Sequence, residues 1–328
     1  MSSHRVDRRM FLGLGTAGCI GPGIAERLTA APQSKPGATD TASGKKLPTK
    51  FQIACMTLPY AQFPLQRAMS GLKDAGYRFV AWGRSHQQAS GKPAPVLAGD
   101  APPEKAKELG QRCRDLGLEP VMMFGPAPEE PQALRRCVGQ AAAAGVGQVL
   151  TMGRTKGNDA KIWVRNFKEL GPIARDSGVV IVVKQHGGNT GTGEALGKII
   201  RDVNDEGVKI SYDAGNVLDY HKIDPLPDIR KCVGEVRSFC VKDHRLFPKD
   251  EDCGPGFGEI DHYRLLAPMA FTGRVLPLCC ENIFAPVVPR PSDASGIDAL
   301  GRRAREFLEV VIAGLQAPAA RSGLDKGA

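Results

Sequence analysis

From residue 51 onward, short apolar runs alternate with longer amphipathic segments along the chain. The apolar runs have the length and the Val, Ile and Leu content of buried strands, whereas the segments between them have helical spacing. This alternation is typical of repeated βα units around a parallel sheet. It predicts eight strands, at residues 51–56, 77–82, 118–124, 146–152, 179–186, 208–213, 236–243 and 275–281.

The segments between the strands predict helices, and several of them end in a glycine just before the next strand. Glycine suits that place because it adopts the left-handed conformation that closes a helix. Eight such units fit a closed (β/α)8 TIM barrel, which takes about 250 residues. No G-x-G-x-x-G follows the first strand, which argues against a dinucleotide-binding fold. The predicted helices are 65–75, 103–116, 131–144, 160–177, 194–204 and a closing helix at 292–315.

The first residues of the chain predict a targeting segment rather than part of the barrel. Arg8 and Arg9 precede Met-Phe-Leu and a weakly apolar stretch, which resembles a twin-arginine signal and predicts export to the periplasm. We therefore divide the chain into a signal segment at 1–31, a disordered linker at 32–50, a barrel at 51–316 and a flexible tail at 317–328. Lipidation at Cys19 and an ordinary disordered tail are the alternatives for the first segment.

Composition narrows the classes of partner. The chain is 42% hydrophobic and carries a net charge of +9, which together indicate a basic soluble enzyme that favours anionic ligands. It has no apolar run of about 20 residues, so we expect no stable membrane span. It also lacks a dense Lys/Arg run with interleaved aromatics, so we expect no nucleic-acid partner. The nine cysteines form no CxxC pair and predict small buried side chains rather than a zinc ribbon.

Polar residues stand at the ends of the last four predicted strands. Because all strands of a barrel end at one mouth, these side chains should converge there. They are Lys184 and His186 on the fifth strand, Asp213 and Asn216 on the sixth, Lys242 and His244 on the seventh, and Glu281 on the eighth.

Four of these residues predict a metal site. His186, Asp213, His244 and Glu281 offer two nitrogens and two oxygens, a set that suits a Mn, Co, Zn or Fe ion better than Ca or Mg. Alternatively, His186 anchors a loop, His244 is a surface loop residue, and the two carboxylates have a structural role such as capping a helix.

Several short motifs on successive strands carry a family resemblance. They are His-Gly-Gly, Tyr-Asp-Ala-Gly-Asn, Val-Lys-Asp, Gly-Pro-Gly-Phe-Gly-Glu-Ile-Asp and a final Glu. In this order the motifs resemble the xylose-isomerase-like sugar-phosphate isomerase/epimerase family. The resemblance implies a barrel whose divalent metal holds adjacent sugar oxygens while carboxylates move a proton next to a carbonyl.

The chain departs from the family's usual pattern at two places. Asp213 and Glu281 match two of the family's ligands, but Lys184 stands where a glutamate is common and Cys240 where a histidine is common. The nearby histidines 186 and 244 are the candidates to replace the missing ligands, and Cys240 as a thiolate could bind a soft metal. Lys184 itself is predicted to be catalytic, either as a base or as a cation that polarises a carbonyl. A structural ion pair with one of the carboxylates is the alternative.

Together these observations predict a metal-dependent isomerase or epimerase that acts on a small carbohydrate, a sugar or keto-sugar. Lys184 and Glu281 are the catalytic candidates, and Trp82, Asn216 and Lys242 are the substrate-binding candidates. Trp82 would stack on a sugar face, although a core role fits it equally. A keto-sugar lyase or hydratase and a sugar-binding barrel without a metal are the alternatives. An endonuclease is disfavoured, because the extra histidines of that class are missing, and the sequence leaves a homo-oligomer open.

Overall fold

A computed structural model describes residues 47–88, 90–153 and 160–317 of the chain. The predicted signal segment, most of the predicted linker and all of the predicted tail except Ala317 lie outside the described residues. None of the helices in the described part of the chain is long and apolar enough to cross a membrane.

Eight parallel strands close into a barrel, which confirms the predicted fold class. Neighbouring strands along the chain pair with one another, and the first strand closes the ring by pairing with the last, Lys50 opposite Val275. The strands are β1 Lys50–Met56, β2 Phe79–Trp82, β3 Glu119–Phe124, β4 Gln148–Thr151, β5 Val180–Val183, β6 Val208–Tyr212, β7 Val236–Val241 and β8 Val275–Cys280.

Helices follow the strands and surround the barrel, as the amphipathic segments predicted. Their ends obey local rules. A proline lies in the first turn of α3, and Gly145 ends that helix with a φ of 71°. The helices are α1 Leu65–Asp74, α2 Pro103–Asp115, α3 Pro131–Ala144, α4 Lys161–Asp176, α5 Gly193–Val203, α6 Ala214–His221, α7 Pro225–Arg230, α8 His262–Leu266 and α9 Ala294–Gln316.

The apolar side chains form two layers. A small cluster that includes Met56, Val182 and Cys279 fills the barrel interior, and a larger cluster that includes Trp82 and Cys280 lies between strands and helices. Cys279 and Cys280 therefore point to opposite sides of β8, as strand alternation requires. All eight cysteines in the described residues are buried and free, consistent with their prediction as small core side chains.

Two hairpins extend the loops after β2 and β7, and neither was predicted from the sequence. The first pairs Ser85–Gln87 with Pro93–Pro95. The second pairs Asp243–Arg245 with Glu251–Cys253 and sets His244 opposite Asp252. The second hairpin thereby adds acidic side chains to one side of the barrel mouth.

Candidate active site at the barrel mouth

The C-terminal ends of the strands border an open pocket of about 430 Å³. Because β5 ends at Val183 and β8 ends at Cys280, the polar residues that follow these strands belong to the loops of the mouth. The pocket gathers five of the predicted site residues and adds two charged ones. Its ionisable or amide-bearing lining residues include Lys184, His186, Asn216, Lys242, Asp252, Glu281 and Arg290.

A buried ion triad lies at the base of this pocket. The Nζ of Lys184 donates to both carboxylate oxygens of Glu281 at 2.6 Å and lies 3.1 Å from Oδ2 of Asp213. The side chains of Lys184 and Asp213 are 2% and 0% exposed, and that of Glu281 is 11% exposed. Solvent in the pocket therefore contacts the triad mainly at Glu281, its most exposed member.

The charges of the triad shift each other's protonation. Burial lowers the pKa of Lys184, but Glu281 and Asp213 outweigh burial and hold that pKa above its ordinary value. Burial raises the pKa of Glu281, yet Lys184 and Lys242 bring it below its ordinary value. For Asp213, burial dominates over the two lysines and the pKa is raised. Lys184 is therefore a stable cation beside at least one carboxylate that ionises readily.

Asp213 is held in place by the start of α6. Its Oδ1 accepts the amide hydrogen of Asn216 at 2.9 Å, and its own amide donates to Oε1 of Gln185 at 3.0 Å. The side chain of Asn216 in turn donates from Nδ2 to the Gln185 carbonyl at 2.6 Å. One carboxylate oxygen of Asp213 thus caps the helix, and the other faces Lys184.

A second chain of charges runs from the pocket into the hairpin. Lys242 donates from Nζ to Oδ2 of Asp252 at 2.5 Å, and Oδ1 of Asp252 lies 3.0 Å from Nδ1 of His244. The Nε2 of His244 lies 2.9 Å from Asp250 and 3.9 Å from Asp219. Position 215 requires glycine, because a Cβ atom there would lie 2.7 Å from the side chain of Lys242.

Asp243 anchors the glycine-rich loop that follows the hairpin. Its carboxylate accepts from the amides of His244, Gly256 and Ile260 at 2.8, 3.0 and 3.1 Å. The Nε2 of His262 lies 3.3 Å away. Burial raises the pKa of Asp243, but His262 and the donated amide hydrogens outweigh burial, and the pKa lies below its ordinary value.

The predicted metal ligands do not form a single cluster. Asp213 and Glu281 meet only through the ammonium of Lys184, and His186 lines the same pocket with its ring against that of Tyr220. His244 belongs instead to a group with Asp219 and Asp250, whose ligand atoms lie within 4.8 Å of one another.

These two places differ in how well they suit a divalent ion. The triad does not fit one, because a protonated lysine, which has no lone pair, already hydrogen-bonds Glu281 and forms an ion pair with Asp213. The Asp219, His244 and Asp250 group offers imidazole nitrogen and carboxylate oxygen, which are suitable donors. The Lys222 ammonium bonds Asp250 at 2.5 Å and lies 3.9 Å from Asp219, but its side chain is half-exposed and can move into solvent, whereas Lys184 is buried. Asp252 on Nδ1 would also fix the histidine tautomer so that Nε2 faces the two aspartates.

Cys240 and Trp82 are both buried, in different surroundings. Cys240 lies in the barrel interior 3.6 Å from Ser211 Oγ, and burial raises its pKa, so the side chain is a neutral thiol. Trp82 is 1% exposed, packs between strands and helices, and borders a separate pocket of about 310 Å³ with Arg84 and Phe124. Sugar stacking by Trp82 at the mouth stays a prediction without support from this placement.

Several charged residues of the site were not predicted from the sequence. Asp250 and Asp252 come from the unpredicted hairpin, Asp219 from α6, and Arg290 from the segment before α9, where it lies over the Phe284 ring at 4.4 Å. The alternation of Asp250 and Asp252 just before the glycine-rich loop was the one available signal. The pairing of the hairpin strands, which sets His244 opposite Asp252, cannot be seen in the sequence, so the two aspartates alone did not indicate a contact with His244.

A closed parallel barrel with its ionisable residues collected at the strand ends defines an α/β-barrel protein whose ligand site lies at the mouth. The model of the xylose isomerase-like TIM barrel family matches residues 70–299. The chain belongs to this family, which confirms the predicted family resemblance.

Solved structures of other proteins share this barrel fold. A xylose isomerase-like TIM barrel protein from Mycobacterium smegmatis, in complex with magnesium, is 16% identical with a TM-score of 0.62, over 83% of this chain and 98% of that one. An L-ribulose 3-epimerase is 15% identical with a TM-score of 0.61, over 84% and 98%. A D-psicose 3-epimerase with D-tagatose from Clostridium cellulolyticum H10 is 12% identical with a TM-score of 0.59, over 80% and 99%. A search of curated protein sequences found no match.

Proposed function

We propose that this chain isomerises or epimerises a small carbohydrate, a sugar or keto-sugar, by moving a proton at a carbon next to a carbonyl. The observation that carries the proposal is the placement of a carboxylate directly against a buried cation at the base of an open pocket. Glu281 and Lys184 supply, side by side, a proton acceptor and a positive charge. Enolisation of a carbonyl compound needs both.

In the proposed reaction, Glu281 takes the proton from the carbon adjacent to the carbonyl. The electron pair of that C–H bond moves toward the carbonyl oxygen, where the Lys184 ammonium stabilises the negative charge. Because the pKa of Lys184 is raised, we assign it the cationic role rather than the role of a base. For epimerisation, protonated His186, which lines the same pocket, donates its proton to the opposite face of that carbon, and proton exchange with solvent resets Glu281 and His186. For isomerisation, Glu281 returns its proton to the former carbonyl carbon, while the neighbouring hydroxyl gives its proton to the former carbonyl oxygen and becomes the new carbonyl.

The nature of the pocket and the structural relatives support a carbohydrate substrate. Lys242, Asn216 and Arg290 give the lining hydrogen-bond donors suited to hydroxyl or anionic groups. Two sugar 3-epimerases share the barrel over most of both chains.

The divalent ion of the Mn, Co, Zn or Fe type is proposed for Asp219, His244 and Asp250 rather than for the triad. An ion at these three residues would supply positive charge that stabilises the hairpin. His244 contacts Asp252, and Asp252 accepts a hydrogen bond from Lys242, which lines the pocket. We expect one equivalent of metal per chain by elemental analysis, and its loss in His244→Asn. Metal retained by His244→Asn would place the ion elsewhere.

Export by the twin-arginine route is proposed from the sequence of the first residues. Cell fractionation should find the chain in the periplasm, and replacing Arg8 and Arg9 by lysine should leave it in the cytoplasm. Export that persists after both replacements would remove the basis for a periplasmic substrate.

The decisive experiment follows solvent deuterium into candidate ketoses by NMR. Wild-type protein should exchange the hydrogen next to the carbonyl and form the epimer or isomer, whereas Glu281→Gln should lose at least about 100-fold in rate. Glu235→Gln is the matched control, since Glu235 bonds the buried Lys209 near the start of β6, at the other end of the barrel. Loss of water from the sugar would instead indicate a lyase, and binding without exchange would indicate a sugar-binding barrel.

A further inference from the structure

We propose that Lys184 is the resident cation of the barrel mouth, and that its ammonium excludes a divalent metal ion from Asp213 and Glu281. The positive charge beside the carboxylates of Asp213 and Glu281 comes from a side chain of the protein itself. A metal ion should therefore bind between these carboxylates only after Lys184 is replaced by a residue with ligand oxygens.

The geometry makes the ammonium and a metal ion compete for one place. Asp213 follows β6 and Glu281 follows β8, yet oxygens of both lie within 3.1 Å of the same Nζ atom. A transition metal bonded to both carboxylates would need metal–oxygen distances of about 2.1 Å. Such an ion would come into contact with the ammonium, which repels it and offers it no lone pair.

The surroundings of the triad point the same way. Oδ2 of Asp213 is fully buried and has no hydrogen-bond partner among the described residues, and the Lys184 ammonium is its ion-pair partner at 3.1 Å. Cys240, whose sulfur interacts electrostatically with the triad, is a buried thiol with a raised pKa. Lys242 adds a second positive charge that acts on both carboxylates. The other three carboxylate oxygens of the triad already accept hydrogen bonds, and the one oxygen left without a hydrogen bond faces the Lys184 ammonium.

The inference about metal exclusion stands on this geometry alone. Its catalytic meaning, that the lysine does at the carbonyl oxygen what a metal would otherwise do, rests on the proposed function. A wild-type protein that exchanges no substrate hydrogen would defeat the proposed function and leave the metal result unaffected.

The test measures metal content and thermal midpoint of the full chain after treatment with chelator, with Mn²⁺, Co²⁺ or Zn²⁺ added back. In Lys184→Glu, we expect one additional bound ion and a midpoint raised by about 5 °C at saturation. Both effects should vanish when Asp213→Asn is added. Lys184→Gln is the matched control that removes the ammonium without supplying a third carboxylate, and it should respond less.

Wild-type protein provides an independent arm if Lys184→Glu fails to fold. Any metal response of the wild type should survive Asp213→Asn and disappear in His244→Asn, since we place that ion at the hairpin. A wild-type response abolished by Asp213→Asn but kept in His244→Asn would overturn the inference. So would a folded Lys184→Glu protein that gains no ion.

Discussion

At the scale of single residues, the chemistry of the mouth depends on three charges that the protein buries together. A lone buried charge is costly, and these are tolerable only because Lys184 bonds Glu281 and lies beside Asp213. Lys209 near the start of β6 offers a comparison, since it is buried too, but its partner Glu206 is 69% exposed and Glu235 only partly buried. Removing Lys184 should therefore lower the stability of the fold much more than removing Lys209.

Lys184→Met should destabilise the fold by about 3–5 kcal/mol at neutral pH, because two buried carboxylates lose their cation. Without Lys184, burial would raise the pKa of Asp213 and Glu281 in the folded state above their unfolded values. The penalty is then full above the folded values and shrinks as the pH falls toward about 4, where both groups gain protons. Urea unfolding at several pH values measures this. Lys209→Met should lose less and vary less with pH, and equal behaviour of the two variants would contradict this account of the triad.

At the scale of elements, the loops after the strands give the site its second half. Asp243 ties the glycine-rich loop to the hairpin through three amides and His262. Asp261 caps α8 by accepting the amide hydrogen of Arg264, as helix-capping rules suggest. Glu259 has another role, since its Oε1 accepts from the amides of Leu246 and Phe247 at the end of the hairpin strand.

Asp243→Asn should cost about 2 kcal/mol at neutral pH, because a neutral amide replaces a buried, amide-bonded carboxylate. The folded pKa of Asp243 is lowered. Its stabilisation is therefore present above the unfolded value of about 3.9 and is lost as the pH falls through the folded value. Thermal unfolding from pH 7 to pH 3 should show wild type and variant converging in acid. A gap that widens in acid would count against an ionised Asp243.

At the scale of the whole molecule, the barrel closes where the two ends of the described chain meet. The amides of Thr49 and Lys50 donate to the carbonyls of Ala270 and Arg274, at 2.9 and 2.8 Å. Gln316 at the end of α9 donates from Nε2 to the Thr49 carbonyl at 2.8 Å. The seam between β1 and β8 thus includes residues just before the predicted barrel start at 51.

A chain that begins at Leu47 should be more stable than one that begins at Phe51 by at least about 3 kcal/mol. The shorter chain loses these three hydrogen bonds and also those of the Thr49 hydroxyl with Met269 and Thr272. Urea unfolding of the two truncated proteins gives the comparison. The variant Gln316→Ala in the longer chain should lose about 1 kcal/mol of that difference. Equal stability of the two chains would mean that the seam contributes nothing before residue 51.

The sequence alone determined the barrel and the location of its mouth. The spacing of apolar residues, the glycines that end helices and the number of strands are all local properties of the sequence. A parallel barrel brings the C-terminal ends of its strands together whatever the loops between them do. For this reason the order of residues along the chain is enough to assign Lys184, His186, Asn216, Lys242 and Glu281 to one site. The sequence leaves two roles for Lys184, a catalytic one and an ion pair with Asp213 or Glu281. The spacing of residues does not show how far a side chain reaches or in which direction it points.

Only the tertiary structure decided which charges neutralise which. The hairpin after β7 sets His244 against Asp250 and Asp252, and so separates it from Asp213 and Glu281, with which the sequence pattern groups it. Trp82 lies toward the helices because it alternates along β2 with Ala81, which belongs to the barrel interior. Pairing of charges depends on distances of a few ångströms between residues far apart in the chain, and those distances arise only when the barrel closes.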